Sequence, residues 1–429
     1  MSTDLGVLSD LRARGLLHQF TFGDSPNWLA HTSVTVYAGF DPTAASLHIG
    51  HLLPALGLAR LQRAGHRPIA VVGGGTGLIG DPSGKANERP MLTREEIEAN
   101  TAGIAAQLRR LLDFEGPRAA KLVDNAEWLC RLNLVEFLRD IGKHFTVNSM
   151  VQRDSVQLRL RTEQGISFTE FTYALLQAYD FLELFDRFGC RLQLGGSDQW
   201  GNILDGRELI RVLRNEEAHG LTQVLVTRSD GSKFGKSESG NVWLDPRRTS
   251  PYQFHQFWLN VDDADVLRYL RFFTFMGLDE IAALESRHVA DPARREAQRA
   301  LADQVTALIH GDDAVRAARR AASVLFEGGD LRELSASELV AGLGEAPRVS
   351  ASRADLGSPR LDLPSALVLC GLVKSKSEAR THIQNGAVAV NQRIEHDARR
   401  VLSADDLLAN RFVVLRRGKK NYSLIELQD

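Results

Sequence analysis

Short apolar runs that end in glycine alternate with amphipathic helical stretches through the first half of this 429-residue chain. Val34–Gly39 (VTVYAG) predicts a strand, Ile49–Gln62 carries helical periodicity, and Pro68–Val72 predicts a second strand closed by Gly73, Gly74 and Gly75. Lys121–Val123, Arg191–Leu194 and Gln223–Val226 are further strand candidates. Helical stretches near Glu95–Leu112, Leu134–Ile141, Phe171–Leu184 and Gly206–Asn215 separate them. This alternation favours an α/β class, a doubly wound parallel sheet with helices on both faces. Ligands in such sheets bind beyond the C-terminal strand ends, where Gly39, Gly73 and Gly195 fall. The strand order stays open at this level.

From about Ser250 to Ala321 the strand signals vanish, and Asp265–Met276, Asp279–Glu285 and Asp291–Ile309 read as helices. Glu327–Pro359 is rich in Gly, Ser, Ala and Pro and poor in large apolar residues, as a linker would be. A pattern returns after Leu361, with helices near Pro364–Leu369 and Ser377–Gln384 and short strands around Val388, Val413 and Tyr422. The chain therefore divides into a catalytic α/β domain (1–246), an all-α domain (247–325), a linker (326–358) and a small α+β domain (359–429). Met1–Phe20 mixes charges with spaced leucines and reads as an amphipathic helix, not a secretion signal. No apolar run approaches a membrane span, and the three cysteines are far apart with no metal-ligand spacing. These features predict a cytoplasmic protein with no membrane partner, no disulfide framework and no protein-held metal. A formal net charge of −2 requires any nucleic-acid surface to be local.

The chemistry concentrates in a few segments. His48-Ile49-Gly50-His51 sets two imidazoles three positions apart at a helix start. Lys233-Phe234-Gly235-Lys236-Ser237 sets two ammonium groups on a glycine-containing loop 185 positions later. Imidazoles at a positively polarised helix start, together with mobile lysines, suit a triphosphate whose α-phosphorus is attacked as pyrophosphate departs. Lysine is scarce against arginine here: of nine lysines, Lys85, Lys233 and Lys236 fall in two Gly/Ser loops. The loop ending in Lys85 is no P-loop, because Ile79 stands where the first glycine is needed and Ala86 where a hydroxyl is needed. On a helix, Tyr173, Gln177 and Asp180 form one polar stripe roughly 10 Å long at 1.5 Å per residue. That stripe fits a free tyrosine, its ammonium near Tyr173 and Gln177 and its phenol near Asp180, with Tyr37 as a second phenol partner. Gln193–Asn202 (QLGGSDQWGN) is a strand-to-helix turn where glycines permit close approach of a nucleoside, Asp198 suits ribose hydroxyls and Gln199 suits a carboxylate.

These segments resemble the signatures of class I aminoacyl-tRNA synthetases, and their combination resembles the bacterial-type tyrosine enzymes over essentially the whole chain. The resemblance implies a Rossmann-like catalytic domain and an enzyme that activates L-tyrosine with ATP, then passes it to tRNA(Tyr). ATP is a substrate in that reading, Mg2+ arrives with it, and the assembly is a homodimer. The resemblance assigns Thr43 and His48 to the ATP phosphates, His51 to the neighbourhood of the ribose, and Lys85, Arg89, Lys233 and Lys236 to the departing pyrophosphate. Gly39, Asp41, Gly50, Gly196, Asp198 and Ser237 complete the ATP set. Asp81 accepts from the tyrosine ammonium, and Tyr37, Tyr173, Gln177, Asp180, Gln193 and Gln199 complete the tyrosine set. Ala38 and Pro54 depart from the family pattern near the ribose. The last domain resembles an S4-type RNA-binding domain, with Lys374, Lys376, Arg380, Arg416, Arg417, Lys419 and Lys420 as phosphate contacts. A tryptophan enzyme of the same fold, and a non-catalytic RNA-binding relative, are the alternatives.

Overall fold

The computed structural model describes residues 6–23, 27–83, 92–161, 165–231, 234–237, 240–326, 329–343, 346–418 and 421–428. The first sheet contains β1 (Leu17–Phe20), β2 (Thr35–Phe40), β3 (Arg67–Val72), β4 (Lys121–Asp124), β5 (Cys190–Gly196) and β6 (His219–Gln223), in the order β1-β6-β5-β2-β3-β4. All neighbours run parallel except β1, which lies antiparallel against β6 at the edge. The chain winds outward from β2 to β3 and β4, then crosses back to lay β5 and β6 on the other side of β2. Winding reverses between β2 and β5, and a crevice opens there at the C-terminal strand ends. Tyr37 on β2 is in register with Gln193 on β5, so both side chains leave the same face.

The strands are buried on both faces, which explains their near-continuous apolar runs. Helix Leu52–Arg63 follows β2, and Arg94–Leu111 precedes β4 behind a Thr93–Glu96 capping box. Helix Phe168–Phe188 leads into β5 and stops at Gly189, whose φ of 61° is left-handed. Ala178, Phe181 and Leu184 of that helix pack with Ile69, Val71, Leu209 and Ile210. Each large buried side chain there contributes roughly 1.5–3 kcal/mol, and their burial fixes the rotation of the helix. Its polar stripe is thereby turned toward the crevice.

The expected helix over Met1–Phe20 is interrupted: among the described residues a helix runs Val7–Ala13, and β1 follows it at Leu17–Phe20. Its burial pattern does not alternate, so only pairing with a distant strand makes it one. For the same reason β6 lies at His219–Gln223, earlier than the apolar run 223–226, which instead continues past the strand as crevice wall.

The chain forms two compact units, Met1–Arg248 with Leu259–Val305, and Thr249–Trp258 with Thr306–Asp429. The helical stretch is thus shared between them. In the second unit, β7 (Arg348–Ser352), β8 (Val388–Val390), β9 (Arg393–Glu395), β10 (Phe412–Arg417) and β11 (Asn421–Gln428) form a sheet in the order β9-β8-β10-β11-β7. Segment 326–358 was expected as a linker, but it contains helix Ala336–Gly342, capped by Ser335 and Glu338, and β7, parallel to β11. Its strand is half-exposed and held by a non-local partner, so few large apolar residues mark it. Ala318, Val324 and Leu339 share a core with Phe412, Val414 and Leu424, so helix Asp312–Phe326 belongs with the sheet.

Candidate active site

Asp180 lies at the buried end of the crevice, 4% exposed, and it is not alone there. Its carboxylate accepts from Asn125 Nδ2 at 2.8 Å and Trp128 Nε1 at 2.7 Å. Burial pushes its carboxyl up to about 7; the two donors pull it down and Asp41 pushes it further up. Tyr37, also buried, is raised well above the usual phenol value, first by burial and then by the charge of Asp180. Tyr37 Oη and Gln193 Oε1 have no hydrogen-bond partner among the described residues. Two adjacent strands therefore present unsatisfied polar atoms into one cavity, an arrangement that costs stability unless a ligand supplies the missing partners.

Two hydrogen-bonded chains run along the walls. Asn125 Nδ2 also donates to Thr76 Oγ1 (3.0 Å), Thr76 donates to Asp41 Oδ1 (3.1 Å), and Tyr173 Oη donates to Asp41 Oδ2 (3.2 Å). Gly73 leaves room for this chain: a Cβ there would sit 2.4 Å from Thr76 Oγ1 and 2.5 Å from Asp41 Oδ1 and would displace them. In the second chain, Gln199 Nε2 donates to Asp81 Oδ2 (2.9 Å), Gln177 Nε2 donates to Gln199 Oε1 (3.1 Å) and Asn202 Nδ2 donates to Gln177 Oε1 (2.9 Å). The carboxylates of Asp41 and Asp81 with the amide oxygens of Gln177 and Gln199 make this middle stretch an acceptor-rich wall, suited to an ammonium group.

At the mouth, the His48 and His51 rings stack with centroids 3.9 Å apart. Gly50 N donates to His48 Nδ1 (3.0 Å) and His48 N donates to His51 Nδ1 (3.2 Å). With both Nδ1 atoms accepting, each neutral imidazole carries its proton on Nε2. Gly50 is required here as well: a Cβ would lie 2.8 Å from His48 Cε1. The histidines open a single turn, Ile49–His51, that continues into helix Leu52–Arg63.

Backbone pairing joins this turn to the lysine segment. Ile49 N donates to Val242 O, Leu244 N to Leu47 O and Val242 N to Gly235 O, at 2.9 to 3.1 Å. Phe234 packs against helix Asp263–Phe273, stacked on Phe273 (5.2 Å) and edge-on to Tyr269 (5.0 Å). Lys236 and Ser237 form a two-residue ribbon with Asn241 and Gly240. Segments 185 positions apart in sequence thus meet at one mouth.

One cavity of about 520 Å³ gathers Tyr37, Gly39, Asp41, Gly50, His51, Asp81, Tyr173, Gln177, Asp180, Gln193, Gly196, Asp198 and Gln199 along its wall. Thr43 is exposed, and neither it nor His48 lines this cavity. Lys85, Arg89 and Lys233 lie outside the described residues, as do Lys419 and Lys420. Sequence reasoning missed Thr76, Asn125, Trp128 and Asn202. Asn125 directly follows β4, a C-terminal strand end like the ones where binding was expected, and that was the available signal. In the second unit, Lys374, Lys376 and Arg380 are exposed around the start of helix Lys376–Gln384, while Arg416 and Arg417 are half-buried at the end of β10. Arg417 reaches Glu378 at 3.3 Å.

Residues 29–327 match the family model for class I tRNA synthetases (W and Y), and residues 338–425 match that for the tyrosine–tRNA ligase SYY-like C-terminal domain. A doubly wound sheet with paired imidazoles at its crevice is that of a class I aminoacyl-tRNA synthetase. The chain is 53% identical over 422 residues to the tyrosine–tRNA ligase of Roseiflexus castenholzii, covering 98% of this chain and 99% of that one. It is 51% identical over 424 residues to the Geobacillus stearothermophilus enzyme, with the same coverage. This chain belongs to the tyrosine–tRNA ligase family. A C-terminally truncated Aspergillus nidulans mitochondrial tyrosyl-tRNA synthetase superposes with a TM-score of 0.68 at 32% identity, over 76% of this chain and 95% of that one. The likeness to an Encephalitozoon cuniculi tryptophanyl-tRNA synthetase, TM-score 0.53 at 14% identity over 72% of this chain and 87% of that one, is one of fold alone. Among the described residues, no helix is long and apolar enough to cross a membrane.

Proposed function

We propose that the crevice binds tyrosine with its phenol between Asp180 and Tyr37, its ammonium among Asp81, Tyr173 and Gln177, and its carboxylate toward the two histidines. The observation that carries this reading is the buried Asp180 beside the unpartnered Tyr37 hydroxyl. A phenol O–H donates to Asp180 while its oxygen accepts from Tyr37, which satisfies both. Phenylalanine would leave the Tyr37 hydroxyl unpaired and give Asp180 no donor beyond Asn125 and Trp128.

ATP enters as its Mg2+ complex, with adenosine against Gly196 and Asp198. A tyrosine carboxylate oxygen forms a bond to the α-phosphorus as the bond to pyrophosphate breaks. His48 and His51 donate through Nε2 to phosphate oxygens that gain charge in this step, and Lys85, Arg89, Lys233 and Lys236 neutralise the departing pyrophosphate. No protein nucleophile is involved; position and charge stabilisation supply the rate. A ribose hydroxyl of the terminal tRNA adenosine then attacks the acyl carbon, and AMP leaves. Residues 359–429 are proposed to hold tRNA backbone through Lys374, Lys376, Arg380, Arg416 and Arg417, in the cytoplasm where tRNA and ATP meet. The working assembly is proposed as a homodimer formed through the apolar side chains Leu134, Val135 and Phe168, which are 70%, 73% and 77% exposed.

The test is amino-acid-dependent ATP–pyrophosphate exchange with tyrosine, tryptophan and phenylalanine. Exchange stimulated by tyrosine alone is expected; stimulation by tryptophan, or by none of the three, contradicts the reading.

A further inference from the structure

One polar side chain on the crevice wall has no role in the account above. Gln223 ends β6 in register with Gly196 of β5. It is 1% exposed and lines the crevice, yet neither its Nε2 nor its Oε1 has a partner among the described residues. An amide buried with both ends unpaired is costly, and the native state tolerates it here. The fold makes room for it: a Cβ on Gly57 of the helix that follows His51 would stand 2.8 Å from Gln223 Oε1.

Its position across the sheet indicates what it meets. The crevice runs from Asn125, beyond β4, over β3, β2 and β5 to β6. Four strand steps at ~4.8 Å span roughly 19 Å, a length fit for an extended aminoacyl nucleotide. Asp180 and Asn125 close the amino-acid end, His51 and Gly196 line the stretch beyond the acceptor-rich wall, and Gln223 stands at the opposite end, which this layout leaves to the nucleobase of ATP. A carboxamide offers one acceptor and one donor side by side. Adenine offers the complement, an amine at N6 beside an accepting ring nitrogen.

We propose that Gln223 reads the base of ATP, its Oε1 accepting from the adenine N6 amine and its Nε2 donating to the adjacent ring nitrogen. This rests on the tyrosine-activation reading above. The experiment compares the full-length protein with Gln223→Met, which keeps side-chain length and removes both polar atoms. Tyrosine-dependent pyrophosphate exchange is measured with ATP and with purine riboside triphosphate, which lacks the N6 amine. The wild type should lose about tenfold in kcat/KM on the change of nucleotide, the worth of one such pair. Gln223→Met should show that loss already with ATP and little further change with the analogue. Tyrosine affinity should be unaltered, and the ligand-free melting midpoint should rise, because the substitution removes an unsatisfied amide. Equal ATP parameters for the two proteins, or a lowered midpoint marking a structural amide, would overturn the proposal. Absence of tyrosine-dependent exchange in the wild type would instead remove the tyrosine-activation reading on which it rests.

Discussion

Asp180→Asn should stabilise the ligand-free protein at alkaline pH while destroying tyrosine recognition. Folded Asp180 holds its proton to about 7, against an ordinary value of 3.8. A folded value raised above the unfolded one gives stability that is fully present below 3.8 and lost as pH rises through 7. At ~1.4 kcal/mol per unit, the raised value costs the fold about 4 kcal/mol well above pH 7, where folded Asp180 is ionised, and about 2 kcal/mol near pH 5, where folding must bind the proton that the unfolded carboxylate has lost. Asparagine has no such cost, but its single oxygen can serve only one of the donors Asn125 and Trp128, which returns ~1–3 kcal/mol. The net expectation is a gain of about 2 kcal/mol near pH 8.5 and almost none near pH 5. Denaturant midpoints of both proteins without tyrosine, taken at the two pH values, measure it, and isothermal titration with tyrosine follows the loss of binding. A stability difference that ignores pH, or a variant less stable than wild type at pH 8.5, would refute the claim that Asp180 is a strained, ligand-seeking carboxylate.

Other substitutions probe the remaining parts. Lys236→Ala should slow adenylate formation roughly 10²-fold in single-turnover experiments while leaving tyrosine affinity nearly unchanged; equal losses in both would place the lysine in ground-state binding. Phe168→Asp should convert a dimer to a monomer by sedimentation, and an unchanged mass would remove the apolar surface as the dimer contact. Changing Lys374, Lys376 and Arg380 together to Glu should leave pyrophosphate exchange intact, weaken tRNA charging and flatten its salt dependence. Point changes suit this test better than truncation, because removing 343–429 would strip Phe412, Val414 and Leu424 from the core they share with helix Asp312–Phe326.

The sheet and the polar stripe were legible because local patterns carry them. β2 and β3 are apolar runs closed by glycine, and the spacing of Tyr173, Gln177 and Asp180 fixes their common face once the strip Ala178, Phe181 and Leu184 is buried. β1 and β7 were not legible, since each is a strand only by virtue of a partner more than seventy residues away. The same limit hid Asn125 and Trp128. Nothing local to β4 announces that its trailing loop folds over Asp180, fifty residues on. Gln223 carries no local signal beyond that of a strand, because an unpaired amide is recognised only when its surroundings are known.

A structure with a non-hydrolysable tyrosyl-adenylate analogue bound tests the central claim most directly. The ligand phenol should lie within hydrogen-bonding distance of both Asp180 and Tyr37 Oη, with the adenine at the β6 end of the crevice. A phenol directed away from Asp180, or an adenine lodged at the Asn125 end, would contradict it.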